Sequence, residues 1–387
     1  MSELGIDTLI VGCGFCGSVI ARLLAEEGKR VLVIDRRNHI GGNMYDRVDS
    51  NGIMVQQYGP HIFHTNNKKV IKFLTSYGKW NPYKLKYMVN INGDLFSMPF
   101  NYSMIDYKYD KEQSTLLKYK LKCLFPNEES VSIVDLLQCD EPIVRSFAQY
   151  LFEEDYLPYT SKQWGIPPEE IDISVLNRVP FLLSYRDYYT DDRFECLPDR
   201  GYTAFFQRLL DHPLITIKLE TKSSVLISIT DNRLFIHGKR SEIPVIYTGA
   251  VDELLDYKFG ILPYRSIRFE YETKFTRSYQ PEAIVAYPKA IGYTRITEYR
   301  KLPYQEAGDK STIVREYPLE WKPNNAQVNE PYYPVLTKES QNLYQMYQEE
   351  LNKIPNLYLC GRLADFKYYN MDAAIERAMY VFHTIQF

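Results

Sequence analysis

Thr8-Leu9-Ile10-Val11-Gly12-Cys13-Gly14-Phe15-Cys16-Gly17 is the stretch on which the fold turns. Four apolar residues run straight into a glycine, the signature of a buried parallel strand. From Ser18 to Glu27 apolar residues return at helical spacing, at Val19, Ile20, Leu23 and Leu24, and Gly28 ends the run. Arg30 to Ile34 reads as a second buried strand, closed by Asp35. Together these form one βαβ unit, and Gly12, Gly14 and Gly17 fit the pattern G-x-G-x-x-G. The first glycine permits a tight turn and the second lets backbone approach a pyrophosphate. The third lets the helix pack on the sheet, and the helix N-terminus faces the phosphate charge. Gly12, Gly14, Phe15 and Gly17 are therefore the expected contacts of a dinucleotide cofactor, with Asp35 accepting from a ribose hydroxyl.

Working outward, 387 residues suffice for a full core and two or three structural units. A net charge of -3 gives no electrostatic case for nucleic-acid binding or a membrane surface. No apolar run approaches the roughly 18 residues of a membrane span. The acidic residues Glu3 and Asp7 ahead of the first strand do not fit a signal peptide, so a cytoplasmic protein is expected. Six scattered cysteines do not make a disulfide framework. Tyrosine, with 34 residues, is the compositional outlier; its flat face and polar tip suit sugars and bases.

Further along, Lys68 to Tyr77 is an amphipathic helix, and Asn92-Gly93-Asp94 marks a hairpin after Tyr87 to Ile91. Residues 103–172 look mainly helical. Gly201 to Leu210 is a helix, Ile215 to Ile236 reads as strands, and Pro244 to Thr248 is a strand entering Gly249. Residues 263–320 alternate at period two, which suits an antiparallel sheet. Leu357 to Cys360 is a late strand, and a helix follows from about Met371, with Asn370 at its N-cap.

After Asp35 comes Arg36-Arg37-Asn38-His39-Ile40-Gly41-Gly42-Asn43. A second glycine pair there resembles the FAD proteins with a glutathione-reductase-like Rossmann domain, and Gly361-Arg362 resembles their C-terminal flavin contact. That likeness implies FAD, held additionally by Arg36, Gly42, Asn43, Gly361, Arg362, Asn370 and Met371. The last helix would aim its positive end at the flavin.

Longer segments narrow the likeness. Tyr58-Gly59-Pro60-His61-Ile62-Phe63-His64-Thr65, Tyr159-Thr160-Ser161-Lys162-Gln163-Trp164-Gly165, Asn177-Arg178-Val179-Pro180, Tyr293-Thr294-Arg295, Glu316-Tyr317-Pro318-Leu319-Glu320-Trp321 and Pro331-Tyr332-Tyr333-Pro334 stand in order. Through them nearly the whole chain resembles bacterial-type UDP-galactopyranose mutases. The resemblance implies an isomerisation without net redox change, in which reduced FAD attacks the anomeric carbon of a nucleotide sugar through N5. UDP-galactose is the first expectation, with UDP-N-acetylgalactosamine and dTDP-fucose behind it, and the product would feed cell-surface glycans. Arg178 and Arg295 would grip the diphosphate from opposite sides and act with His64 as the catalytic set. Tyr159, Trp164 and Tyr189 would surround the uridine. Arg265, Tyr333 and Tyr368 would complete the substrate site, and His61 and His64 would sit beside the flavin. The His-x-x-His spacing lacks further ligands, so no metal is expected. Homodimerisation is implied by the resemblance alone.

Pro60, Leu85 and Asn370 depart from the family pattern and leave the sugar open. The rival readings are an FAD oxidoreductase of the amine oxidase or desaturase type, and a non-catalytic nucleotide-sugar binder. The expected fold is α/β: an FAD-binding domain from 1–80, 201–262 and 340–387, a helical domain at 103–172, and an antiparallel sheet domain from 81–102, 173–200 and 263–339, with a mobile loop near 173–185.

Overall fold

The computed structural model describes residues 5–165, 167, 176, 179–323 and 330–387. Arg178, with residues 173–175 and 177 of the segment expected to form the mobile loop, lies outside the described residues.

The apolar runs met first form the centre of a five-stranded parallel sheet, ordered Ile215–Lys218, Val31–Ile34, Thr8–Val11, Val245–Tyr247 and Leu357–Leu359. Its two central members are buried on both faces, which is why they read as continuous runs rather than alternations. The helix Phe15–Glu26 packs on this sheet and also against the last helix, Met371–Phe382, so the two chain ends share one core. This is the Rossmann-like α/β fold that the glycine loop predicts.

A second sheet has seven strands, ordered Tyr333–Pro334, Tyr264–Lys274, Ser311–Glu320, Arg295–Glu298, Ile284–Ala286, Tyr87–Ile91 and Asp94–Met98. The hairpin turn at Asn92 and Gly93 has positive φ at both residues, as its sequence predicts. The expectation of a purely antiparallel sheet needs one correction. Ile284–Ala286 pairs in parallel with Tyr87–Ile91, because the long intervening chain lets the later strand return in the same sense.

Two other assignments change. Phe194–Pro198, expected with the antiparallel unit, pairs instead with Phe63–Thr65 and Trp80–Pro82. Its Phe194 packs edge-on to Phe63, so the shared apolar face decides the partner. Within the helical region, Ser130–Val131 forms a short ladder with Phe181–Leu182. The helix Lys338–Leu351 carries a Thr337–Ser340 capping box that the period-two reading of the preceding chain passed over.

The tightest contact lies at the glycine loop. A Cβ on Gly17 would stand 1.9 Å from the Gly12 carbonyl oxygen, backbone that cannot move aside. Gly17→Ala should therefore push the helix off the strand and destabilise the chain by about 2 kcal/mol or more. Chemical denaturation against the parent protein measures it.

Candidate functional site

The glycine loop opens into a cavity at the carboxyl ends of the parallel strands, the place where such sheets bind ligands. Gly14 is the N-cap of the first helix and contributes no side chain, so the opening faces bare backbone. The second glycine pair folds back onto the first: Gly41 N donates to the Cys13 carbonyl at 2.9 Å, and a Cβ on Gly42 would meet Gly14 Cα at 2.9 Å. Asp35 is nearly buried and accepts from the amides of Cys13 and Arg37, at 2.8 and 2.9 Å, which fixes its carboxylate at the rim.

Of the residues expected beside the cofactor, all but His64 line this one cavity. Gly12, Gly14, Phe15 and Gly17 come from the loop, and Asp35, Arg36, Gly42 and Asn43 from the segment after the second strand. His61, Gly361, Arg362, Asn370 and Met371 complete it from elsewhere in the chain. Asn370 occupies the N-cap of the last helix, but its side chain makes no capping hydrogen bond, contrary to the sequence reading.

Sequence reasoning missed Glu330. It accepts from Arg36 and from Arg37, each at 2.7 Å, and Arg36 also lies 3.6 Å from Glu253. Arg37 stacks 4.4 Å over Tyr58 and donates to Asn43. An isolated acid so far along the chain carries no local signal, so only the fold could bring it here.

A cluster of arginine and tyrosine side chains adjoins the cavity through Arg362. Arg295, on the second sheet, stands in register with Glu316 of the next strand; their Nε and Oε1 atoms are 2.7 Å apart, and Glu316 is buried. Tyr333 and Tyr368 stack with ring centres 5.7 Å apart, and Arg362 sits 5.0 Å over each ring. Trp164 approaches Tyr333 at 6.3 Å. Tyr159 hydrogen-bonds Tyr87, against which Tyr189 packs edge-on at 5.4 Å. Loss of solvent, then the charges of Arg362 and Arg295, push the His61 imidazole down to about 3, so it stays neutral above that pH.

Two of the expected site residues make contacts elsewhere in the protein. His64 is not among the residues lining the cavity; its Nδ1 lies 2.7 Å from Asp192 Oδ2. Arg265 spends its guanidinium on the end of the helix Leu157–Trp164, with Nε donating to the Gln163 carbonyl at 3.1 Å. A Cβ on Gly165 would collide with that guanidinium at 2.3 Å. Arg265 thus secures the helix that carries Tyr159 and Trp164. Among the described residues there is no cluster of three or more metal-ligating side chains, and no helix is long and apolar enough to cross a membrane.

Comparison with known proteins is decisive at this point. The family model of UDP-galactopyranose mutase matches residues 155–368, and that of the NAD(P)-binding Rossmann-like domain matches residues 10–77. The chain belongs to the UDP-galactopyranose mutase family. It is 38% identical to the UDP-galactopyranose mutase of Mycoplasma genitalium, over 95% of this chain and 92% of that one. It is 34% identical to the dTDP-fucopyranose mutase of Escherichia coli, over 96% of both. Among solved structures, a reduced UDP-galactopyranose mutase superposes with a TM-score of 0.65 at 17% identity, covering 97% of this chain and 94% of that chain. A putrescine oxidase reaches 0.59 at 10% identity, covering 98% of each, which speaks for the fold alone. Membership in this family makes the chain an enzyme of the nucleotide-sugar mutase class.

Arg265→Met separates the two roles open to this arginine. With the guanidinium anchoring the helix, the unfolding midpoint should fall by about 2–4 °C while UDP affinity of the folded protein stays within about threefold. An unchanged midpoint with UDP binding lost would return Arg265 to the ligand; calorimetry reads both.

Proposed function

We propose that the chain holds FAD in its glycine-lined cavity and, with the flavin reduced, interconverts the pyranose and furanose forms of a nucleotide sugar. UDP-galactose is the first candidate, with UDP-N-acetylgalactosamine and dTDP-fucose as the others. The observation that carries this reading is the stack of Arg362 over Tyr333 and Tyr368. Arg362 is at once a wall of the cavity and a member of that cluster, so a cofactor and a sugar held on either side of it would meet.

The cavity suits the cofactor. Its floor is backbone from two touching glycine turns, open to a pyrophosphate, and its far end is the N-terminus of the helix Met371–Phe382, whose partial positive charge favours an anionic ring. Reduced flavin, when bound, supplies the nucleophile for the anomeric carbon.

The chain's own residues do the rest. Arg295, braced by buried Glu316, would bind the diphosphate, with Arg178 as its partner on the opposite side. Their charge would stabilise the nucleoside diphosphate as it departs and keep it near for return. Tyr333 and Tyr368 offer a flat wall and hydroxyls to the sugar, and Tyr159, Trp164 and Tyr189 an aromatic wall to the base. Neutral His61 adds a ring nitrogen without adding charge, its Nδ1 lying 2.8 Å from the Gly59 carbonyl. We place this activity in the cytoplasm, in a homodimer, as a source of furanose units for cell-surface glycans.

The test is an assay of the purified protein with UDP-galactopyranose, with and without dithionite, product being read by chromatography. Furanose is expected only under reduction. No furanose from any of the three sugar nucleotides would contradict the reading, and so would substrate-driven bleaching of oxidised flavin.

A further inference from the structure

One buried acid remains without a task. Asp155 is 4% exposed, and among the described residues no donor reaches its carboxyl. It lies in the π-helical turn Phe152–Tyr156 that leads directly into the helix Leu157–Trp164. Such turns are rare and recur at functional sites. Its spacing of four residues from Tyr159 puts both on one face of the run. That face meets the strand Tyr87–Ile91, whose Tyr87 bonds Tyr159 and carries Tyr189 against its edge. An unpartnered buried carboxyl costs stability in either protonation state, which is tolerable where a ligand completes it.

We propose that Asp155 reads the nucleobase, pairing as the neutral acid with the imide edge of uracil or thymine. This rests on the nucleotide-sugar reading given above. The sugar nucleotides of the two named relatives, UDP and dTDP, share that edge: an N3–H flanked by two carbonyls. A neutral carboxyl matches it with two hydrogen bonds, donating O–H to O4 and accepting from N3–H. An ionised carboxylate keeps the second and sets negative charge against O4.

Burial raises the Asp155 carboxyl to about 7, so the neutral form is present at and below neutrality. Tyr156 and Tyr159 on its own run, and Tyr87 on the strand, are raised above the ordinary phenol value by burial and stay neutral. Glu154 is paired with Lys289 and faces Tyr150 of the helix Pro142–Leu151. Arg295 lies beyond Tyr159 and remains charged. Lys162, lowered to about 8 by burial, is the other group that titrates nearby. Because the acid form is the binding form, affinity is full below the Asp155 value and is lost as pH rises through it.

The experiment measures binding of UDP-galactose, whose diphosphate diester does not titrate here, to the purified full chain by calorimetry from pH 6 to 8.5. Wild type should lose roughly tenfold in affinity across that range, the cost of one mismatched polar contact. Asp155→Asn presents the same donor and acceptor without ionising and retains Lys162. It should match wild type at pH 6 and flatten the profile. UDP-galactose methylated at N3 should bind wild type at least tenfold more weakly at pH 6. An unchanged pH decline in Asp155→Asn, or equal binding of the methylated ligand, overturns the inference while leaving the nucleotide-sugar reading intact. No binding of UDP-galactose at any pH overturns both.

Discussion

The close approach of the helix Phe15–Glu26 to the strand Thr8–Val11 is the constraint on which the molecule depends. It exists because Gly17 has no side chain where the Gly12 carbonyl must pass. Once the helix sits that low, its N-terminus and the bare backbone of Gly14 face the ends of the parallel strands. Asp35 then ties the loop to the second strand through two backbone amides, and the Gly41–Gly42 turn closes over it. The floor of the cavity is thus main chain, which moves little and costs no side-chain ordering.

The arginine and tyrosine cluster beside it is built in the opposite way, from long side chains braced by neighbours. Glu316 holds Arg295 from the adjacent strand, and Arg265 grips the end of the helix bearing Tyr159 and Trp164. Lys162 spans the two elements, donating to the carbonyls of Tyr287, Ala290 and Tyr293 at 2.9, 2.6 and 2.7 Å. These carbonyls belong to the loop that leads into Arg295. The aromatic side chains on the helix and Arg295 on the sheet are therefore positioned against each other by two cations, Arg265 and Lys162, each spent on holding protein.

The fold and the cavity were legible because their signals are local. A βαβ unit, a glycine spacing and a terminal acid each occupy a few dozen residues, and the physics that favours them acts between near neighbours. The residues that tune the site were not. Glu330 and Glu316 become meaningful only once distant chain is brought beside Arg37 and Arg295. The protein contacts of His64 and Arg265 were not legible either, because a motif gives identity without direction. The His64 imidazole meets Asp192, and a helix end claims the Arg265 guanidinium. Asp155 carried no sequence signal, since an acid among aromatics in a helical run reads as solvated surface until its burial is seen.

The central claim is that cofactor and sugar meet across Arg362. A crystal structure of the dithionite-reduced protein with UDP-galactose tests it most directly. The account predicts flavin along the two glycine turns, diphosphate on Arg295, and the sugar's anomeric carbon against the flavin ring beside Tyr333 and Tyr368. Nucleotide bound at the cluster with its sugar turned away from that ring would contradict it.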